Sequence, residues 1–142
     1  MEVTVKVEGT KELQRTLEKL GERAQAELEK ALYAEAELIM TESKKQCPVD
    51  TGTLRSTGYV RISRAEAPRT VVEMVYGGPA APYAVAVHEN PRAGKTGGVS
   101  PSGQRYKTWA KTGKWKYLED PVKAATPKLP SRLARRLRRV IE

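Results

Sequence analysis

From Leu13 to Ile39 the apolar residues recur at three- and four-residue steps: Leu13, Leu17, Leu20, Ala24, Leu28, Ala31, Leu32 and Ile39. That period draws a single apolar stripe down an α-helix, with Glu and Lys on the opposite face and several of them spaced for i,i+4 pairing. The spacing predicts one long amphipathic helix, or two nearly collinear ones, from Lys11 to about Lys45. Gly21 is its weak point, since glycine inside a helix costs about 1 kcal/mol relative to alanine. Pro48 sets the far boundary, because it disfavours helical geometry at Cys47 and has no N–H to donate. Such a helix must bury its stripe, so the rest of the chain has to supply the covering surface.

The flanking segments have the period that makes such a surface. Val3, Val5 and Val7 alternate with Thr4, Lys6 and Glu8, the pattern of a half-buried strand. Gly9-Thr10 breaks it, and Thr10 can cap the helix that follows. After Pro48, Val49-Asp50-Thr51-Gly52 reads as a turn. Leu54 to Ser63 and Thr70 to Tyr76 then carry β-branched, aliphatic and aromatic residues suited to strands, joined through Ala65-Glu66-Ala67-Pro68. Gly77-Gly78-Pro79 punctuates again, and Ala81 to Glu89 fits either a short helix or a strand. The expected fold class is α+β, with the long N-terminal helix packed on an antiparallel sheet and residues 1–142 forming one domain.

The last third is different in kind. Asn90 to Gln104 holds Gly94, Gly97, Gly98 and Gly103 with Pro91 and Pro101, a composition expected of a mobile loop at about 90–105. Tyr106, Trp109, Trp115 and Tyr117 then interleave with Lys107, Lys111, Lys114 and Lys116. Asp120-Pro121 opens a short helix that Thr126-Pro127 interrupts. Finally Leu129, Leu133, Leu137 and Ile141 stand four residues apart, with Arg132, Arg135, Arg136, Arg138 and Arg139 between them, predicting a basic C-terminal helix with a narrow apolar stripe.

Charge follows the same division. Residues 1–60 hold nine Lys/Arg and eleven Asp/Glu, whereas residues 61–142 hold seventeen and six, so the formal charge is −2 in the first part and +11 in the second. A basic half implies a polyanion, an acidic partner, or repulsion relieved on assembly, with solvated surface charge as the competing explanation. Cys47 is the only cysteine, which excludes a disulfide-stapled scaffold. No apolar run approaches the roughly 20 residues of a membrane-spanning helix, and no signal-peptide core is seen at the start, so a soluble intracellular product with no membrane partner is expected.

The candidate chemistry is sparse. Gly94-Lys95-Thr96 looks like the end of a phosphate-binding loop, but the glycine required five residues earlier is Glu89. His88 and Cys47 are the only residues of their types and cannot make a zinc site. Cys47 reads as a small buried hydrophobe and His88 as a structural or surface histidine; no cofactor is expected. Asp50-Thr51-Gly52 is also the aspartic-protease tripeptide, and a dimer could bring two such carboxylates together. Here, however, it follows a charged helical stretch rather than an apolar strand. The alternative is a helix-to-strand corner: Pro48 stops the helix, Asp50 accepts the Gly52 N–H, Gly52 takes positive φ, and Leu54 begins burial. Arg55 can pair with Asp50 or with a neighbouring subunit.

The run Cys47-Pro48-Val49-Asp50-Thr51-Gly52-Thr53-Leu54-Arg55-Ser56, at the end of a long N-terminal helix, resembles the tail-completion or head–tail joining proteins of long-tailed bacteriophages. Their usual run is Ala-Pro-Val-Asp-Thr-Gly-x-Leu-Arg-x-Ser, with Cys47 and Thr57 as the departures here. Tyr83 to Glu89 and Tyr117 to Val122 look like later elements of the same family. The resemblance makes Pro48, Val49, Asp50, Thr51, Gly52, Leu54 and Arg55 a structural motif. It implies a non-enzymatic virion protein at the neck or tail end, assembled in the host cytoplasm as a homo-oligomeric ring, a hexamer being one candidate. Neck and tail-tube proteins would adjoin it, and DNA would pass through its lumen.

Lys95, Arg105, Lys107, Trp109, Lys111, Lys114, Arg132, Arg135, Arg136 and Arg139 are the candidates for facing DNA or a partner. Contact with DNA would run through phosphate charge, without sequence readout. Two rival readings are a basic nucleic-acid-binding module, with bases stacked on Trp109 and Trp115, and, more remotely, a dimeric aspartic protease using Asp50.

Overall fold

The computed structural model describes residues 2–8, 22–49, 52–63, 71–91, 93 and 113–141. Strand β1 (Glu2–Glu8) is followed by helix α1 (Glu22–Gln46) and a single helical turn α2 (Thr53–Ser56). Strands β2 (Tyr59–Ser63) and β3 (Val71–Gly77) and helix α3 (Ala84–His88) come next. The chain closes with α4 (Glu119–Ala125), a 3-10 turn over Thr126–Lys128, and α5 (Leu129–Ile141). The fold is α+β, as the two hydrophobic periods require. Residues 9–21, with Thr10 and Gly21, and residues 64–70 lie outside the described residues. So do Asp50, Thr51 and most of the glycine-rich segment with Lys95, Arg105, Lys107, Trp109 and Lys111.

The sheet runs β1-β3-β2, antiparallel throughout, with Val3 opposite Tyr76, Val60 opposite Met74 and Ile62 opposite Val72. Those residues form the face that meets α1, where Leu28, Leu32, Ala36, Ile39 and Met40 are buried. The central strand is closed on both faces, and Val71 to Tyr76 are all buried. On the second face Glu73 is buried and accepts from Arg61 Nε of the neighbouring strand at 2.6 Å, so the carboxylate is paired rather than stranded. The same contact holds the Arg61 guanidinium pKa above its ordinary value. Leu129, Leu133 and Leu137 of α5 are buried as α5 packs along α1.

One expectation is revised. Leu54 does not begin a strand: it is buried on the helical turn α2, and the strand starts at Tyr59. The cause lies in two glycines. Gly52 has φ +86, which starts the turn, and the Ser56 N–H then bonds the Gly52 carbonyl at 3.0 Å. Gly58 lies so close to the Tyr76 ring that a Cβ there would stand 2.7 Å from Cε1, so the chain needs the turn to pass beneath α1. The ambiguous stretch after Pro79 resolves as helix α3. Ala93, within the segment expected as a loop, is fully buried in the core, and its N–H bonds the Asn90 carbonyl at 2.9 Å.

Candidate functional site

The end of α1 is tied by several hydrogen bonds to distant parts of the chain. Ser43 is fully buried, with its hydroxyl 2.6 Å from the Tyr117 carbonyl and 2.9 Å from the Tyr76 hydroxyl. Only the serine can donate to a carbonyl, so the Tyr76 hydroxyl must donate to Ser43. The Tyr76 and Tyr117 rings meet edge to face at 5.0 Å, and the Tyr117 hydroxyl donates to the Ala84 carbonyl at 2.9 Å. Burial raises the pKa of both phenols. Helix α1, strand β3, helix α3 and the segment before α4 are thereby tied at one point.

That last segment, Gly113 to Tyr117, caps two helices. The Lys114 N–H bonds the Gln46 carbonyl at the end of α1, and the Lys116 N–H bonds the His88 carbonyl at the end of α3, each at 2.8 Å. Both carbonyls lack an intrahelical partner and need one. Gly113, at φ +105, sits against the motif's own corner: a Cβ there would stand 2.5 Å from Pro48 N and Cα. Lys116 is the one non-glycine residue with positive φ among the described residues. Its ammonium pairs with Glu89 at 2.5 Å and Glu119 at 3.0 Å.

The interleaved aromatics and lysines therefore do not form a stacking platform in the part that is described. Tyr117 is core, Trp115 packs against it, and Lys114 pairs with Asp120. His88 is buried and structural: the Glu119 N–H donates to Nε2 at 3.3 Å, which leaves the ring proton on Nδ1, 2.9 Å from Glu89. Cys47 is fully buried, and burial pushes its thiol up to about 12, far from a nucleophilic thiolate. No cluster of His, Cys, Asp and Glu able to hold a metal occurs among the described residues.

Around the corner itself, Pro48 and Leu54 are buried, Val49 is half-buried and Arg55 is exposed. Gly52 and Arg55 line a shallow cleft of about 410 Å³ with Lys44 and Lys45 from the last turn of α1. A second cleft, of about 450 Å³, runs along α5 and shares no lining residue with the first. At its floor Glu35 is 4% exposed and accepts from Arg132 Nε at 2.9 Å and Arg136 Nε at 2.7 Å. Arg135 and Arg139 line the same cleft without an ion pair among the described residues. Glu35 was not among the sequence candidates, although its place between Leu32 and Ile39 puts a carboxylate on the apolar stripe. The five arginines are thus not alike, since two are held by a buried acid.

Residues 11–120 match the model of the HK97-gp10-like family, described as a bacteriophage HK97-gp10 tail component. The chain belongs to the HK97-gp10-like family. It is a phage tail component, a structural protein of the virion that works alongside other phage neck and tail proteins. No curated protein and no solved structure matches it significantly. The matched residues include the Pro48 corner, both strands that follow and the Gly113–Tyr117 strap, whereas α5 lies beyond them. No helix among the described residues of this tail component is long and apolar enough to cross a membrane.

Proposed function

We propose that this tail component is a tail-completion or head–tail joining subunit that forms a homo-oligomeric ring at the phage neck, through which DNA passes. The observation that carries the reading is the match over residues 11–120, which takes in the corner flanked by buried Pro48 and Leu54. Arg55 is exposed at that corner beside Lys44 and Lys45, as a residue that meets an adjoining subunit should be. The sheet has two edge strands, β1 and β2, each paired on one side among the described residues. Leu38 and Tyr59 are 48% and 45% exposed, apolar surface that a neighbouring copy would cover. Among the described residues the buried thiol and the structural histidine serve the fold, and no catalysis is proposed.

Electron microscopy of a lysate made with the gene disabled tests the reading. Full heads separated from free tails, or tails of abnormal length, are expected. Normal infectious virions would overturn it. Native mass measurement of the purified protein then gives the ring stoichiometry.

A further inference from the structure

We propose that the cleft along α5 is a preset phosphodiester-binding groove, in which Glu35 positions Arg132 and Arg136 for DNA. The groove has five cations, Lys128, Arg132, Arg135, Arg136 and Arg139, around a single carboxylate. Glu35 is buried and engages both arginines through Nε, so neither guanidinium is free to swing. Their side chains nevertheless remain 46% and 40% exposed, which presents terminal N–H donors to the cleft. A planar guanidinium held in this way is suited to forked bonding with phosphate oxygens. Holding it in advance removes part of the entropy lost on binding.

Lys128, Arg135 and Arg139 complete the groove and make no ion pair among the described residues. From Arg132 to Arg139 the helix advances about 10 Å, whereas duplex DNA carries one charge per about 1.7 Å of its axis. Several phosphates would therefore face the groove at once.

The lining also decides between DNA and an acidic protein. Protein interfaces are centred on aromatic or aliphatic anchors. Here every lining residue is charged apart from Ser131. The guanidinium forks match phosphate oxygens, so contact is assigned to the backbone, and equal affinity for unrelated duplexes is its signature.

The inference rests on the reading of a DNA-conducting neck subunit, and the lysate experiment tests that reading separately. Unjoined particles combined with a flat DNA titration overturn the groove alone. The groove is tested on the purified full-length protein by fluorescence anisotropy, with two unrelated DNA duplexes and with polyglutamate, between about 50 and 200 mM salt. Equal affinity for the two duplexes is expected, with weaker binding to polyglutamate. R135Q/R139Q changes exposed side chains only and should reduce the salt slope by about 2, at about 0.9 per lost phosphate contact.

Glu35→Gln is the deciding variant, because it makes the protein more positive. A mere patch of charge would then bind DNA more tightly. A preset groove should bind it about threefold to tenfold more weakly. Unchanged or tighter binding by E35Q overturns the positioning role, and an unchanged slope in R135Q/R139Q removes DNA from the groove. Polyglutamate binding as tight as that of DNA makes the occupant an acidic protein surface.

Discussion

The Ser43 hydroxyl lies 2.6 Å from the Tyr117 carbonyl, joining two fully buried residues that are 74 positions apart. The same oxygen accepts from Tyr76, so one small side chain satisfies a strand residue and the strap before α4 together. Ser43→Ala removes both bonds and leaves a phenol and a carbonyl without partners in the interior. An unmade buried hydrogen bond costs about 1–3 kcal/mol, so a loss of about 2–4 kcal/mol is expected. Urea unfolding followed by circular dichroism checks it. An unchanged midpoint would mean that water reaches the site.

Gly113 and Gly52 separate two uses of glycine that a sequence presents identically. Both have positive φ, at +105 and +86. A Cβ on Gly52 meets nothing within 4 Å, whereas one on Gly113 stands 2.5 Å from the Pro48 backbone. Gly52→Ala should cost only the left-handed conformation, about 1–2 kcal/mol. Gly113→Ala adds a backbone collision and should cost at least about 3 kcal/mol, or detach the strap from α1. Comparing the two unfolding midpoints tests the order, and equal costs would refute the clamp on Pro48.

The contrast between these glycines also shows what the sequence made legible. The period of α1 from Glu22 onward, the strand pattern of β1 and β3, and the break at Pro48 are local, and each appears where the sequence places it. The start of β2 was misplaced because Gly52 and Gly58 impose a helical turn through contacts with α1 and Tyr76 that are distant in sequence. The capping role of the Gly113–Tyr117 strap is hidden for the same reason: its alternating aromatics and lysines do not announce the bond between Tyr117 and Ser43. Glu35 was legible in principle, as a charge on an apolar stripe. Its partners lie 97 to 101 residues further on, so only the packing of α5 on α1 identifies them.

The Glu35 cluster should show strong non-additivity. Arg136→Gln leaves Glu35 still paired with Arg132, and a cost below about 1 kcal/mol is expected from the loss of one half-exposed partner. Arg132→Gln behaves alike. Together they strand a buried carboxylate, which typically costs about 3–5 kcal/mol. A double-mutant cycle measures the coupling directly. Additive losses would mean that Glu35 reaches water when its partners leave.

Cys47 should behave as a reporter of opening. With its thiol pushed to about 12 by burial, it should resist alkylation in the native state at mildly alkaline pH and react once urea opens the α1 corner. The unfolded chain releases this proton near 9.0, while the folded chain keeps it. Stability contributed by the buried thiol is therefore complete below 9.0 and is lost progressively as pH rises from there toward about 12. Cys47→Ala should remove that part of the alkaline limb. Rapid native labelling would place the thiol at the surface.

At the acid end the sign reverses, and Lys116 governs it. Hydrogen bonds from Lys116 hold the Glu89 and Glu119 carboxyls below the ordinary 4.5, with His88 also contributing at Glu89. As pH falls through 4.5 the unfolded chain takes up these protons first, so stability present above that value is lost as the folded carboxyls titrate. Both carboxylates are well exposed, at 52% and 36%, so the effect is small and weakens in salt. Lys116→Met keeps the side-chain bulk in the same left-handed position while removing the charge. Wild type and K116M should therefore differ in stability above pH 4.5 and converge well below it. A difference that stays constant through the acid range would assign the cost to the backbone capping of His88 instead.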